Sequence, residues 1–245
     1  MDVWNWNPEC SITAAWQCVN RKLQLMRKNS MEFDAPDQSG FSLLEIVIVL
    51  AISITLVAIA VPNYVSIVAS MRIAGDLRDL TGATAQAKMR AAADFTRARV
   101  YADLNGGSFQ LQLWKKAGSG CWVAEADTTS TCLTYSSGTP SGVVTSLSQG
   151  DTFGYGTLTA GPSPGQATIG EAAKCLDNSG TAITNTACIV FNSRGIPIDA
   201  STLAPLATGA LYLTNGTVVD GLTISATGSI QTWSNNGSSS SWTGQ

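Results

Sequence analysis

The most strongly apolar stretch of the chain is residues 41–61, FSLLEIVIVLAISITLVAIAV, which carries a single charged group, Glu45. A helix of about 20 residues rises about 1.5 Å per residue and spans a hydrocarbon core of about 30 Å. A signal-peptide core is shorter, about 7–15 residues, and runs into a small-x-small cleavage site. Here Pro62, Asn63 and Tyr64 follow instead. A buried soluble helix rarely stays apolar on every face over this length. The stretch therefore reads as a transmembrane helix. Arg21, Lys22, Arg27 and Lys28 precede it. Flanking positive charge keeps the N-terminus cytoplasmic and places everything after Val61 across the membrane.

Beyond Pro62 the pattern becomes amphipathic. Ile73, Leu77, Leu80, Thr84, Ala87, Ala91, Phe95 and Ala98 recur at steps of three and four, a stripe down one helix face. Arg72, Asp76, Arg78, Asp79, Lys88, Arg90 and Asp94 fall mostly between stripe positions. The two patterns predict one helix from Phe41 to about Ala98, about 85–90 Å long. Pro62 is expected to kink it or loosen its hydrogen bonding locally.

After Arg99 the texture changes to Gly, Ser and Thr with short alternating runs. These are Ser108–Trp114, Cys121–Glu125, Thr157–Thr159, Cys188–Asn192, Ala210–Leu213, Leu222–Ser225 and Ser229–Thr232, each bounded by turn residues. Residues 136–187 read as a long variable loop with one or two strands. The expected fold is α+β: a long helix packed on a mainly antiparallel β head. The chain then divides into 1–40 ahead of the helix, 41–61 in the membrane, 62–98 as its amphipathic continuation, 99–233 as the head and 234–245 as a polar, frayed tail.

Composition removes whole classes of chemistry. The 245 residues carry a net charge of -3 and only 13% charged residues, so nothing supports bulk nucleic-acid binding. No Lys or Arg follows Arg194. Arg72, Arg78, Lys88, Arg90, Arg97 and Arg99 read as a solvated helix face. Histidine is absent, which excludes the Ser-His-Asp triad and every His-containing metal site. No P-loop, dinucleotide fingerprint or nucleophile elbow is present. Asp103-Leu104-Asn105-Gly106 and Asp177-Asn178-Ser179-Gly180 read as turns before calcium loops. The chain is expected to be no enzyme, with no metal and no cofactor.

Six cysteines are split around the apolar stretch, Cys10 and Cys18 before it and Cys121, Cys132, Cys175 and Cys188 after it. No C-x-x-C pair exists. Four cysteines beyond a membrane segment read as two disulfides in an oxidising compartment. Of the three possible pairings, Cys121–Cys132 and Cys175–Cys188 each close a short local loop that a hairpin could supply. Such a loop is worth roughly 3 kcal/mol in the chain-entropy model.

Glu45 needs compensation, because a carboxylate at the centre of a membrane helix costs on the order of 2.5–3.5 kcal/mol, and less near the interface. A free α-amine at Phe41, on this or a neighbouring chain, would supply it. Gly40-Phe41-Ser42-Leu43-Leu44-Glu45 resembles the type IV prepilin processing motif. In that family a membrane-embedded aspartic peptidase cuts after the Gly and methylates the new Phe amine. The Glu at the fifth mature position helps dock the subunit into a growing filament. The resemblance implies processing at Gly40 and Phe41 and assembly through Glu45. Its implied partners are a prepilin peptidase/methyltransferase, other major and minor pilins or pseudopilins, and an inner-membrane assembly platform. It also implies a single-pass inner-membrane protein of a bacterium with a periplasmic head. The leader departs from the usual short basic form: 40 residues precede the junction, with Glu32, Asp34 and Asp37 near it. Met26 offers a shorter start, and residues 1–25 read as an upstream mis-start or an extension.

The head has its own resemblance. Trp114, Cys121-Trp122-Val123, Ile189-Val190-Phe191-Asn192-Ser193-Arg194-Gly195, Gly209-Ala210-Leu211-Tyr212-Leu213 and Leu222 to Ile230 resemble the GspH/FimT family. Phe191 and Gly195 match its F-x-x-x-G turn, and Gly228 its closing turn. That resemblance implies a pilin-like fold and a minor pseudopilin of type II secretion. The alternative it leaves open is a minor type IV pilus tip subunit for pilus biogenesis, adhesion or DNA uptake.

Overall fold

The computed structural model describes residues 40–115, 120–125, 131–237 and 241–245. The leader through residue 39, with its charges, Met26, Cys10 and Cys18, lies outside the described residues. The chain divides into two compact units, residues 1–57 and 58–245.

Helix α1, Leu43–Ala93, starts in the first unit. The Ser42 carbonyl accepts the first hydrogen bonds, from the Glu45 and Ile46 N–H groups. Ser42 is thus the N-cap residue and Glu45 the third helical residue, the spacing of a capping box. Every residue from Gly40 to Val57 is exposed. Within the helix, the Ser53 and Thr55 hydroxyls donate to the carbonyls of Val49 and Ile52. Side-chain polarity is thereby absorbed within the helix, as an apolar solvent requires.

In the second unit α1 runs through Pro62, whose ring nitrogen has no hydrogen for the Ala58 carbonyl one turn back. Ile73, Leu77, Leu80, Thr84, Ala87 and Ala91 are then fully buried, the stripe read from the sequence. Thr84 donates its hydroxyl to the Leu80 carbonyl, so it enters the core without an unpaired group. The stripe stops earlier than expected. Phe95 takes a left-handed conformation (φ 48°) and is 73% exposed. The Thr96 N–H closes the helix onto the Ala91 carbonyl. Ala98 is buried as the first residue of a strand, not as the last of a helix.

Thirteen strands follow among the described residues: β1 (Ala98–Asp103), β2 (Ser108–Lys115), β3 (Cys121–Ala124), β4 (Tyr135–Ser136), β5 (Thr139–Pro140), β6 (Thr145–Ser146), β7 (Thr152–Phe153), β8 (Thr186–Phe191), β9 (Pro197–Ile198), β10 (Thr208–Thr214), β11 (Val219–Ser225), β12 (Ile230–Asn235) and β13 (Thr243–Gly244). One antiparallel sheet has the order β3-β2-β1-β8-β9, with β6 also on β2. A second has the order β13-β12-β11-β10-β7, and β4 and β5 form a small hairpin. The fold is α+β, helix on sheets, as the pattern predicted.

Both sheets and the helix share one core. Ala98, Val100, Ala102, Ile189 and Phe191 of the first sheet and Leu211, Leu213, Leu222 and Ile224 of the second pack with the helix stripe. The sheets are also covered on their outer faces. Tyr101, Trp122, Cys188 and Val190 lie under Leu133, Cys175 and Ile198. Ala210, Tyr212 and Val219 lie under Tyr155, Leu158, Ile169 and Trp242. Strand β1 was not anticipated, because both of its faces are buried and no polar alternation marks it. Thr157–Thr159 forms no strand; Leu158 is a loop side chain packed on the second sheet. The tail, expected to be frayed, returns to the sheet: β13 pairs with β12, and the Trp242 indole donates to the Ala160 carbonyl.

Candidate functional site

The junction expected to be processed lies just ahead of the helix. Gly40 and Phe41 are exposed and precede the first helical residue, so the bond between them is outside the helical hydrogen-bond ladder. A side chain built on Gly40 would meet nothing within 4 Å. Glu45 follows in the first helical turn, exposed, and its carboxylate has no hydrogen bond or ion pair among the described residues. A carboxylate there interacts favourably with the helix dipole, worth about 0.3–1 kcal/mol. That term is smaller than the insertion penalty, so the position still favours a cationic partner from outside the helix. Around it Leu43, Leu44, Ile46, Val47 and Ile48 are all at least half exposed. By length and composition α1 is able to cross a membrane, with a mean hydropathy of 2.8 over its most apolar window.

An exposed Gly-Phe junction, an apolar helix and a first-turn carboxylate thus lie together in one short segment. The prokaryotic N-terminal methylation motif matches residues 36–61, which contain all three. No curated protein and no solved structure matches the chain. The motif indicates pilin-like processing by a prepilin peptidase and assembly with other pilins. Together with the apolar helix it indicates membrane anchoring.

The head residues singled out from the sequence fall into one arrangement. Phe191 is fully buried in the core, and the Gly195 N–H closes the following turn onto the Asn192 carbonyl. Gly195 (φ 72°) and Gly228 (φ 77°) both take the left-handed conformation that glycine adopts freely. They meet over Lys88 of α1, whose Nζ donates to the Gly228 carbonyl at 2.8 Å. A Cβ on Gly228 would lie 2.8 Å from the Gly195 carbonyl oxygen and 3.2 Å from Lys88 Nζ. The two turn glycines thus let both loops close on one helix side chain. Cys121 is bonded to Cys132 and Cys175 to Cys188, with Cα separations of 5.6 and 5.0 Å.

Both Asp-led turns are self-capped. Asp103 Oδ1 accepts the Asn105 and Gly106 N–H groups, and its Oδ2 the Thr139 hydroxyl. Asp177 Oδ1 accepts the Ser179 and Thr181 N–H groups and the Ser179 hydroxyl, which holds its carboxyl below the usual range. Other carboxyls are pushed up. Burial raises Glu171 to about 8; its Oε2 accepts the Tyr212 N–H and its Oε1 has no hydrogen-bond partner among the described residues. Burial, then contact with Asp76, raises Asp151 to about 6.

The arginines correct the sequence reading. Arg97 and Arg99 are not on a solvated helix face. Arg99 lies in β1 and is fully buried. Its Nε donates to Gln112 Oε1 (2.8 Å), Nη1 to the Leu176 carbonyl (2.6 Å) and Nη2 to the Tyr135 hydroxyl (2.6 Å). Its guanidinium lies 3.9 Å from the Trp122 ring centroid. Burial lowers its pKa to about 10. Arg97, half-buried, stacks 4.2 Å from the Trp114 centroid. No sequence signal separated these two from the helix charges, because β1 was itself unrecognised. Lys88 is likewise part-buried, as the bond to Gly228 requires.

Proposed function

We propose that the chain is a minor pseudopilin of a type II secretion system. It is cut after Gly40, methylated on the Phe41 amine and assembled into a pseudopilus that supports protein export. The observation that carries this reading is Glu45: an exposed carboxylate in the first turn of a helix that is apolar all round, five residues after the Gly of the motif. Methylated Phe41 of one subunit would be the cation for Glu45 of a neighbour. Transfer from lipid to a filament core keeps the apolar face covered, so the helix serves both states. The N-terminus would remain cytoplasmic and the head periplasmic, which suits two disulfides. The minor-subunit assignment is supported by the Trp114–Trp122 strand pair, the Phe191-to-Gly195 turn and Gly228.

Mass spectrometry of the mature protein tests the processing: the N-terminal residue should be Phe41 carrying one methyl group, and any other start refutes the site. Glu45→Ala should leave that cleavage intact and remove most of the subunit from the sheared filament fraction. Wild-type incorporation of Glu45→Ala would refute the docking role. Loss of secretion with pili intact distinguishes the type II assignment from a pilus tip subunit, which would give the reverse.

A further inference from the structure

A cavity of about 340 Å³ opens on the outer face of the first sheet, away from α1. Its floor is cross-strand neighbours. Trp114 of β2 pairs with Trp122 of β3, their rings 5.1 Å apart and edge-to-face. Arg97 and Arg99 approach these rings from the β1 side. Two self-capped turns form the walls, one led by Asp177 and the other running from Asp199 to Leu203. The volume lies at the small end of ligand pockets, which span roughly 300–1,000 Å³. It suits a ligand of one or two residues or one sugar ring.

The cations in this cavity are unpaired. Arg99 is buried without a carboxylate partner among the described residues: its three acceptors there are an amide oxygen, a backbone carbonyl and a phenol. Arg97 has only aromatic faces, with no hydrogen-bond acceptor for its guanidinium among the described residues. The carboxylates that lead the two walls, Asp177 and Asp199, each spend Oδ1 on their own turn. Neither guanidinium therefore has a carboxylate partner among the described residues, and an unpaired cation in a partly dry site is expensive. The rim adds a second sign of a built site. Leu203 is held in the left-handed region (φ 59°) with its side chain half exposed at the lip. Strain of this kind in a non-glycine residue collects at ligand clamps.

We propose that this cavity binds a carboxylate group, taken in a fork by Arg97 against the Trp114 face, with Arg99 as the fixed charge behind it. A carboxylate brings the missing anion with two coplanar oxygens, whereas a phosphate monoester presents a tetrahedral set. A planar carboxylate also matches the planar fork of a guanidinium laid on an indole. The carboxylate can come from an acidic sugar or from a polypeptide end. The site is independent of which assembly machine the subunit serves.

The test uses the full chain in detergent micelles and follows the indole N–H signals by NMR. Trp114 and Trp122 report the cavity. Trp233 and Trp242, whose indoles donate to Thr223 Oγ1 and the Ala160 carbonyl on the second sheet, report the fold. The probes are glucuronate and a short peptide with a free C-terminus, each against its own amide. At least one acid should shift Trp114 and Trp122 while its amide does not; a sugar-only or peptide-only response names the source. Arg97→Gln should weaken binding roughly tenfold to hundredfold, with Trp233 and Trp242 unmoved, and Arg97→Lys should recover part of it. The proposal is overturned if neither acid binds, if acid and amide bind alike, if phenyl phosphate binds more tightly than both acids, or if Arg97→Gln binds as wild type.

Discussion

The Lys88 junction lends itself to a quantitative test through Gly228→Ala. Two separate terms oppose the methyl group. An L-residue in the left-handed region costs about 1–2 kcal/mol. The added Cβ would also fall 2.8 Å from the Gly195 carbonyl oxygen, closer than real Cβ contacts come, and 3.2–3.3 Å from the end of the Lys88 side chain. Relieving that clash displaces the Gly195 loop or lengthens the 2.8 Å bond from Lys88 to the Gly228 carbonyl. A hydrogen bond to a charged group is worth about 1.5–3 kcal/mol. With partial relaxation the total loss should be about 2–4 kcal/mol. Gly216→Ala isolates the first term, since Gly216 has φ +84° and open space around it. The assay is urea unfolding of the full chain in mild detergent, followed by tryptophan emission. Gly228→Ala should lose at least 1 kcal/mol more than Gly216→Ala, given these magnitudes. Equal losses would show that the two loops do not close on Lys88 as described.

Two further predictions rest on buried groups. Glu171 has a folded pKa of about 8, above its ordinary value, so the folded state holds its proton longer than the unfolded state does. Stability from this group is therefore complete at acid pH and is lost as pH rises towards 8, by at most about 1.4 kcal/mol per unit. Urea midpoints should fall between pH 7 and 8, above the region near pH 6 in which Asp151 titrates, and Glu171→Gln should flatten that fall; an unchanged slope would refute the assignment. Replacing Cys175 and Cys188 together by Ala should cost about 3 kcal/mol for the closed loop, with a further loss from their buried positions, while an unmoved urea midpoint would contradict a stapling role.

How much was legible depended on which faces of each element are buried. The stripe from Ile73 to Ala91 could be read because only one helix face meets the core. Its apparent extension to Phe95 and Ala98 kept the helical spacing across a turn, where the chain had already changed conformation. Strands β2, β3, β8, β10, β11 and β12 announced themselves by β-branched and aromatic runs between turn residues. Strand β1 did not, since Ala98, Val100 and Ala102 face the helix while Arg99 and Tyr101 are buried on the other side. An arginine stacked on Trp122 looks the same in sequence as one in water. The N-terminal methylation motif was legible because it is a linear pattern that needs no tertiary partner.

The central place of β1 also sets a schedule. Its first neighbour, β2, follows at once. Its second, β8, pairs Phe191 with Ala98 and Thr186 with Asp103, across gaps of 93 and 83 residues. At about 5–20 residues per second of synthesis, that edge of β1 stays open for roughly 5–20 s. Cys121 and Cys132 have both been made early in that interval, whereas Cys175 must wait for Cys188, which lies within β8 itself. The second disulfide therefore records the moment at which the sheet acquires its middle, and any earlier partner for Cys175 would trap a head whose first strand has an unsatisfied edge.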